Sequence, residues 1–281
     1  MVPEERPLQA RDIEGCLRLV AEAGWNQTEN DWLTILEIGE ARGLFRQGQL
    51  IATAAIVRHG PIGWICMVLV QTTEQRQGLA THLLKWAVQR LDEIGLTPGL
   101  DATPAGREVY LKLGFEDIYG VTRLQCDKPR TTERRLSGSP PRSIGRADLE
   151  AISQFDRRAF GADRGALLAS LIQRRPDLAL ATLEGAECTG FALAREGRKA
   201  TQIGPVVARD GATALDLLQI VLNKVDGPVF MDLLDRHVEA RRWLEDHGFK
   251  AQRPFTRMLR GQGKPFDDSR LVLALTGPEF A

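Results

Sequence analysis

The sequence has little cysteine, no excess of charge of either sign and no long hydrophobic run. Only four of its 281 residues are cysteine, and because no two form a C-x-x-C pair, zinc-finger, iron–sulfur and thioredoxin-type sites lack their ligand spacing. Lysine plus arginine and aspartate plus glutamate both number 37, whereas nucleic-acid-binding proteins usually carry a basic excess. The longest apolar stretches, 50–57 and 62–70, have the length of strands and are too short to span a membrane. We therefore expect no metal site and neither a nucleic acid nor a membrane as partner.

The N-terminal sequence MVPEERPLQARD contains no apolar segment that could act as a secretion signal. A reduced, cytoplasmic protein is therefore expected. Its 43% hydrophobic and 26% charged residues are typical of a soluble globular protein, and at roughly 150 residues per domain its length fits two domains.

The segment 127–142, DKPRTTERRLSGSPPR, separates two halves of nearly equal length. Its prolines, glycine and charges leave almost nothing apolar to pack, so it is predicted to be an exposed linker between domains at 1–126 and 143–281. A shift of 134 residues aligns Leu83 with Leu217, and the same shift aligns Gly114-Phe115 with Gly248-Phe249. This constant offset predicts a duplicated fold.

Hydrophobic periodicity predicts the same order of elements in both halves. The first half is predicted to contain helices 10–24, 29–40, 78–94 and 105–113 and strands 43–47, 49–58, 62–71, 97–101 and 115–125. The second half is predicted to contain helices 146–159, 164–174, 212–225 and 236–247 and strands 178–183, 189–195, 199–207, 229–233 and 249–260. One more strand-like run, 271–275, follows in the tail, and the pattern does not indicate which sheet it joins.

The stretch 68–84, VLVQTTEQRQGLATHLL, carries the clearest chemical signal. A buried strand ends here, and a loop opens directly into an amphipathic helix. Free backbone N–H groups and the helix dipole make such an N-terminus a binding site for pyrophosphate. Gly78 allows the backbone to approach phosphate oxygens closely, the small Ala80 does not block them, and Arg76 adds a positive charge.

This loop resembles the acyl-CoA loop of the GNAT N-acetyltransferase superfamily, which reads [QR]-x-x-G-x-[GA] after the fourth strand. A second motif of that family, a tyrosine one turn before a Gly-Phe pair, follows in 102–115. The residues that match the two motifs are Gln75, Gly78, Ala80, Tyr110, Gly114 and Phe115. The resemblance covers 6–125 and implies an α/β (α+β) protein of two tandem domains, each with a mixed central sheet flanked by helices.

The resemblance also implies that the pantetheine arm of acetyl-CoA lies between a bulged fourth strand and the fifth strand. The residues implied to contact acetyl-CoA, largely through their backbone, are Met67, Val68, Val70, Gln75, Arg76, Gln77, Gly78, Leu79, Ala80 and Thr81. Tyr110 is implied to protonate the departing thiolate, and a phenol of pKa about 10 can donate to a thiolate of pKa roughly 8.5. Simpler interpretations remain open: Gly78 as a loop glycine, Arg76 as a solvated charge and Tyr110 as a core residue.

The general base is not indicated by a motif. Many relatives place a glutamate on the fourth strand, but 62–71 contains no carboxylate. We select Asp101, at the end of the fifth strand, as the candidate base. The alternatives are Glu29, Asp31 and His59.

Trp25 and Asn26 belong to the helix 1–2 region that usually borders the acceptor in the family, so they are the candidate substrate-binding residues. For Trp25 a packing role fits equally well. In the run 155–168, which looks like a segment of the C-terminal halves of two-domain acetyltransferases, four charged residues either face the site or form ion pairs on a solvated helix face: Asp156, Arg157, Asp163 and Arg164.

The second half lacks the chemistry at the aligned positions, where Gln75 becomes Arg209, Gly78 becomes Ala212 and Tyr110 becomes Leu244. It therefore resembles a degenerate copy. We expect an acetyl-CoA-dependent N-acetyltransferase with one active site, in which the amine of a small molecule attacks the thioester directly, in a monomer or homodimer. The alternatives are a CoA-binding sensor without turnover and an enzyme that acetylates protein lysines or N-termini.

Overall fold

The computed structural model describes residues 2–130, 136–261 and 263–281. Of the predicted linker 127–142, residues 131–135 lie outside the described residues. On either side of them the chain is held by the second half, because the Arg130 amide donates to the His247 carbonyl (3.0 Å) and the Ser137 amide to a carboxylate oxygen of Asp216 (2.7 Å). The domain boundary stays a prediction.

Each predicted helix and strand is present, with ends shifted by a few residues. The strands are β1 (Glu4–Pro7), β2 (Gly39–Arg46), β3 (Gln49–His59), β4 (Ile62–Val70), β5 (Thr97–Ala102), β6 (Phe115–Cys126), β7 (Arg142–Ser143), β8 (Leu180–Glu184), β9 (Glu187–Arg195), β10 (Thr201–Ala208), β11 (Val229–Leu234), β12 (Lys250–Arg260) and β13 (Val272–Leu275). The helices are α1 (Ile13–Glu22), α2 (Glu29–Ile38), α3 (Leu79–Glu93), α4 (Pro104–Leu111), α5 (Leu149–Phe160), α6 (Gly165–Arg174), α7 (Gly211–Lys224) and α8 (Val238–Asp246). Only the short strands β1 and β7 were not predicted.

The strands form one continuous mixed sheet in the order β1-β2-β3-β4-β5-β12-β6-β11-β13-β10-β9-β8-β7. Helices α1, α2, α5 and α6 pack on one face of it, in a single hydrophobic core that contains residues of both halves. Helices α7 and α8 cover the other face of the second half, and α3 and α4 cover that face of the first half. The predicted mixed α/β class is therefore confirmed.

The two halves share one sheet because they exchange their last long strands. β12 of the second half pairs with β5, with Arg257 opposite Asp101, and β6 of the first half pairs with β11, with Arg123 opposite Asp232. β6 and β12 also pair with each other over almost their whole length. The sequence predicted a separate sheet in each half. The exchange joins the two sheets, because β5 of the first half pairs with β12 of the second and β11 of the second half pairs with β6 of the first.

In the first half, β4 and β5 separate. They pair in parallel only from Ile62 opposite Thr97 to Trp64 opposite Gly99. Beyond that point β4 bulges: Cys66 pairs with Ala55 and Leu69 with Thr53, so two residues of β4 face one of β3. The bulge bends β4 away from β5 and leaves a cleft between them.

In the second half, the equivalent cleft between β10 and β11 is filled by the protein itself. These strands pair in parallel from Thr201 to Ile203 and then separate, and β13 enters the gap, where it is antiparallel to both. The tail strand predicted at 271–275 therefore lies inside the sheet and not at an edge. A Cβ atom built on Gly204 would lie 1.9 Å from the Leu275 carbonyl oxygen, so the close approach of β13 requires glycine there.

Gly204→Ala is therefore expected to lower the free energy of unfolding by about 3 kcal/mol, because Leu275 must move and the backbone at Gly204 has a positive φ of 150°. Gly185→Ala is the matched control, since Gly185 also has a positive φ but no atom lies within 4 Å of its added Cβ. The free energy of unfolding of this control should fall by about 1 kcal/mol. Urea titration measures both variants, and equal losses would show that the packing of β13 contributes nothing.

Candidate active site

The cleft between β4 and β5 opens into a cavity of about 640 Å³, part of which is open to solvent. Both halves of the chain line it. From the first half come Trp25, Gln27, Ile65, Cys66, Met67, Val68, Leu100, Asp101, Thr103 and Tyr110, and from the second half Arg253, Phe255, Pro278 and Glu279.

The bulge in β4 centres on Met67, whose φ of 51° lies in the left-handed region that is uncommon for residues other than glycine. The Thr53 hydroxyl donates to the Met67 carbonyl oxygen over 2.8 Å and fixes the bulge. Met67 and Val68 line the cavity, while Val70 lies at the end of β4 and its carbonyl accepts a hydrogen bond from the Gln75 side chain (3.3 Å). The bulge thus directs the backbone of β4 toward the cleft.

The N-terminus of α3 is open. Gly78 is the N-cap with φ 81°, and no side chain caps the helix, so the amides of Leu79, Ala80 and Thr81 have no capping acceptor within the described residues. A Cβ on Gly78 would meet no atom within 4 Å, which shows free space above the helix end. Because an uncapped helix N-terminus attracts anions, this end of α3 is suited to a pyrophosphate.

Gln75, Arg76 and Gln77, which precede α3, are all exposed. Arg76 has a φ of 62°, and the Gln77 side chain donates to Glu74 (3.1 Å). The positive charge of Arg76 therefore lies in the same exposed loop as the open helix end.

The corresponding helix end in the second half is closed. The Asp210 side chain caps α7 by accepting from the Thr213 amide over 2.8 Å, and Asp210 also forms an ion pair with Arg209 (3.3 Å). A carboxylate thus occupies the position at which a bound phosphate would have to lie. Leu244, the counterpart of Tyr110, is fully buried in the second-half core.

Tyr110 of α4 lines the cavity, and its hydroxyl has no hydrogen-bond partner within the described residues. Its ring packs on Gly106, where an added Cβ would lie 2.9 Å from a ring carbon, and its centroid lies 6.0 Å from that of Phe115. Burial raises the pKa of Tyr110. The side chain is therefore held in place while its neutral hydroxyl stays available to donate a proton.

Asp101 lines the cavity and belongs to a buried ionic cluster. Arg257 donates to both of its carboxylate oxygens over 3.0 Å and also to Asp267 over 3.1 Å, and Tyr119 donates to Asp267. One guanidinium is thus shared by two carboxylates. Burial raises the pKa of Asp101, although the charge of Arg257 opposes this effect. A raised pKa suits a carboxylate that must take up a proton near neutral pH.

The second half contributes a cation and an anion to the cavity wall that the sequence analysis did not select, Arg253 and Glu279. Glu279 accepts from Gln27 over 2.8 Å and from Arg195. The alternation of Arg253, Phe255 and Arg257 along one strand could have indicated that these side chains share a face, but the sequence analysis assigned this strand to the second half. No sequence pattern indicated Glu279, because nothing in the tail predicts that the chain turns back toward the cavity.

Cys66 also lines the cavity, but burial raises the pKa of its thiol, so the thiolate that a covalent route needs is disfavoured. Of the two candidate substrate-binding residues, Trp25 lies on the cavity wall and Asn26 does not. The Asn26 side chain instead binds the backbone of the second half, accepting from the amides of Lys199 (2.9 Å) and Ala200 (3.1 Å).

The alternative base candidates and the four charged residues of 155–168 do not line the cavity. Glu29 is exposed, and Asp31 is buried in ion pairs with Arg174 (2.9 Å) and Arg195 (3.0 Å). Burial lowers the pKa of His59 to about 3, with a smaller contribution from nearby arginines, so it is neutral. The four charged residues form two ion pairs with one another: Asp156–Arg164, which is buried, and Arg157–Asp163, which is exposed.

Over the three described ranges, no group of three or more histidine, cysteine, aspartate or glutamate residues could hold a metal ion. The same ranges contain no helix with the length and apolar character needed to cross a membrane.

Comparisons with known proteins identify both halves. Residues 15–115 match the acetyltransferase (GNAT) family, and residues 152–273 match an acetyltransferase (GNAT) domain. Over 251 residues the chain is 25% identical to an uncharacterised N-acetyltransferase, YitH, of Bacillus subtilis (strain 168), which covers 89% of this chain and 88% of that protein.

Solved structures share the fold. A Pyrococcus horikoshii protein described as an acetyltransferase superimposes with a TM-score of 0.82 at 20% identity, over 100% of this chain and 96% of that one. A tandem GNAT protein from the clavulanic acid biosynthesis pathway, solved without acetyl-CoA, gives 0.64 at 14% identity, over 92% and 98% of the two chains.

Proposed function

Because the chain belongs to the GNAT acetyltransferase family, with one such domain in each half, we propose that it is an acetyl-CoA-dependent N-acetyltransferase with a single active site. That site is the cavity between β4 and β5. The acceptor is the primary amine of a small molecule, which attacks the thioester directly.

The proposal of a single active site rests on the difference between the two clefts. In the first half the cleft is open and the α3 end is uncapped, whereas in the second half β13 fills the cleft and Asp210 caps α7. A pantetheine arm and a pyrophosphate fit the first arrangement and are excluded sterically and electrostatically from the second. The second half is therefore a degenerate copy that completes the pocket of the first.

The residues present fit acetyl-CoA, which supplies the acetyl thioester when bound. The backbone of Met67 and Val68 holds the pantetheine amides, and the loop and helix end from Gln75 to Thr81 hold the pyrophosphate. These contacts place the acyl group in the cavity beside Tyr110. Holding both reactants in one cavity converts a bimolecular reaction into a nearly unimolecular one.

Asp101 and Tyr110 carry out the proton transfers of the reaction. An amine of pKa near 10.4 must lose a proton, which costs roughly 4–5 kcal/mol at pH 7. Asp101 accepts the proton that the ammonium group loses, and the neutral amine nitrogen then bonds to the acetyl carbon. As the carbon–sulfur bond breaks, Tyr110 donates its hydroxyl proton to the sulfur, and it regains a proton from the nitrogen of the new amide. Cys66 stays a neutral thiol and takes no part.

A calorimetric titration of the purified protein with acetyl-CoA tests the proposal. We expect one site per chain and at least a 30-fold loss of affinity in Gly78→Glu, because the added carboxylate repels the pyrophosphate at the α3 end. A panel of amines is then screened for acetylation. Binding without acetylation of any amine would favour a sensor, and acetylation of peptides alone would favour a protein-modifying enzyme.

Two variants control this titration. Gly78→Ala keeps the strained φ of 81° but adds no charge, so it should retain affinity within about fivefold. Ala212→Glu places the charge at the α7 end and should have no effect. Two sites per chain, or a loss of affinity in Ala212→Glu, would contradict a degenerate second half.

A further inference from the structure

Arg253 introduces an unbalanced positive charge into the cavity wall. It lies on β12 directly opposite Arg123 of β6, and like charges in that position destabilise a sheet. Asp232 pairs with Arg123 through distances of 2.8 and 2.7 Å. This single carboxylate balances one of the two guanidinium groups, and in the described parts of the chain Arg253 has no ion-pair partner of its own.

The Arg253 side chain is also incompletely hydrogen-bonded. Its Nε atom is buried without a hydrogen-bond partner within the described residues, and an unsatisfied buried donor costs about 1–3 kcal/mol. Burial and the nearby Arg123 lower the pKa of Arg253 to about 10, so it remains protonated at neutral pH. The protein therefore keeps a charged donor that its own residues do not satisfy.

The backbone directs this side chain. The pairing of β12 with β6 shifts between Ala251 and Arg253, and a bulge of this kind re-aims the residue beside it. The guanidinium carbon lies 5.0 Å from the centroid of the Phe255 ring, which also lines the cavity. This contact holds the guanidinium group against the ring, and within the described residues its N–H donors have no hydrogen-bond acceptor.

We propose that Arg253 binds an anionic group, a carboxylate or a phosphate, on the acceptor, so that the substrates are amines that also carry an acid. This inference rests on the proposed function. The guanidinium presents a planar fork of donors that matches both anions. Asp101 on the same wall shares the single charge of Arg257 with Asp267, so this cluster has the excess negative charge that attracts the ammonium group. An acceptor with both charges complements the cavity, and a diamine does not.

Acetylation kinetics test the proposal with matched acceptors. The probes are β-alanine and L-phenylalanine, their amides, and O-phosphoethanolamine. The wild-type protein should prefer each acid to its amide, and Arg253→Gln should lower kcat/KM for the acids about 30-fold while changing the amides less than threefold. Arg253→Lys should recover part of the loss because it restores the charge. The ratio of β-alanine to O-phosphoethanolamine distinguishes carboxylate from phosphate.

A binding measurement does not depend on turnover. Phenylacetate, titrated into the wild-type protein saturated with CoA, should bind, and Arg253→Gln should weaken this binding at least tenfold. Arg11→Gln, at an exposed arginine away from the cavity wall, is the control and should leave both readouts unchanged. Arg253→Gln should be at least as resistant to urea as the wild type, because it removes a like-charge pair.

A wild-type protein that prefers amides or diamines to acids would overturn the inference. So would an equal loss of kcat/KM for acids and amides in Arg253→Gln. The third contradicting result is phenylacetate binding that Arg253→Gln does not weaken, or no phenylacetate binding in the wild type. If acetyl-CoA itself does not bind, the proposed function fails. If it binds and amides are the better acceptors, only the inference about Arg253 fails.

Discussion

Replacement of Asp101 by asparagine is expected to lower kcat about 1,000-fold for the best amine acceptor, because the amide cannot accept the proton of the attacking amine. In the wild type, kcat at saturating substrates should fall as the pH falls through the raised pKa of Asp101, since only the carboxylate form is active. This acid limb should be absent from the residual activity of Asp101→Asn. Steady-state kinetics between pH 5 and 9 would measure both effects.

Asp267→Asn is the matched control, because it also removes a buried carboxylate from Arg257 and should destabilise the fold to a similar degree. It leaves Asp101 in place, so kcat near pH 7 should stay within about tenfold of the wild type. Removing the neighbouring negative charge lowers the pKa of Asp101, so the acid limb should move to lower pH. An unchanged acid limb in Asp101→Asn, or equal losses of kcat in both variants, would assign Asp101 a structural role only.

Tyr110→Phe is expected to lower kcat about 100-fold and to leave acetyl-CoA affinity within threefold of the wild type. The phenylalanine ring retains the packing on Gly106 and Phe115, so only the proton donor is lost. Stopped-flow or steady-state assays measure kcat, and calorimetry measures the affinity. Because burial raises the pKa of Tyr110, any decline of kcat from loss of this proton should occur at higher pH than for a solvent-exposed tyrosine.

A donor with a lower leaving-group pKa provides the internal control for Tyr110. An acetyl thioester of an acidic thiol expels its thiolate without protonation, so Tyr110→Phe should lose little activity with such a donor. Full activity of Tyr110→Phe with acetyl-CoA would exclude Tyr110 from the mechanism. A parallel loss with both donors would indicate that the hydroxyl positions the substrate.

The local features of the first half were predictable from the sequence. Residue type and spacing over short segments were enough to predict the Gly78 loop, the buried strand β4 and the position of Tyr110. In the structure, Met67, Asp101 and Tyr110 line one cavity. The helix and strand order was predictable for the same reason, because amphipathic periodicity is a local property.

The long-range features were not predictable. The exchange of β6 and β12 pairs residues more than a hundred positions apart, and the sequence of an apolar strand does not indicate which strand it pairs with. The sequence analysis therefore assigned Arg253 to the second half alone, although its strand pairs with β5 and completes the sheet of the first half. Glu279 was missed because the tail reaches the cavity only after β13 has entered the second cleft.

The strand exchange also sets the order in which the protein can be completed during synthesis. When β5 and α4 have left the ribosome, the strand that must pair with β5 lies about 150 residues further along the chain. At typical translation rates this delay is on the order of ten seconds, during which one edge of the first sheet has no native partner. The cavity is therefore completed only after residue 279 has been made, because Pro278 and Glu279 line it together with Arg253 of β12.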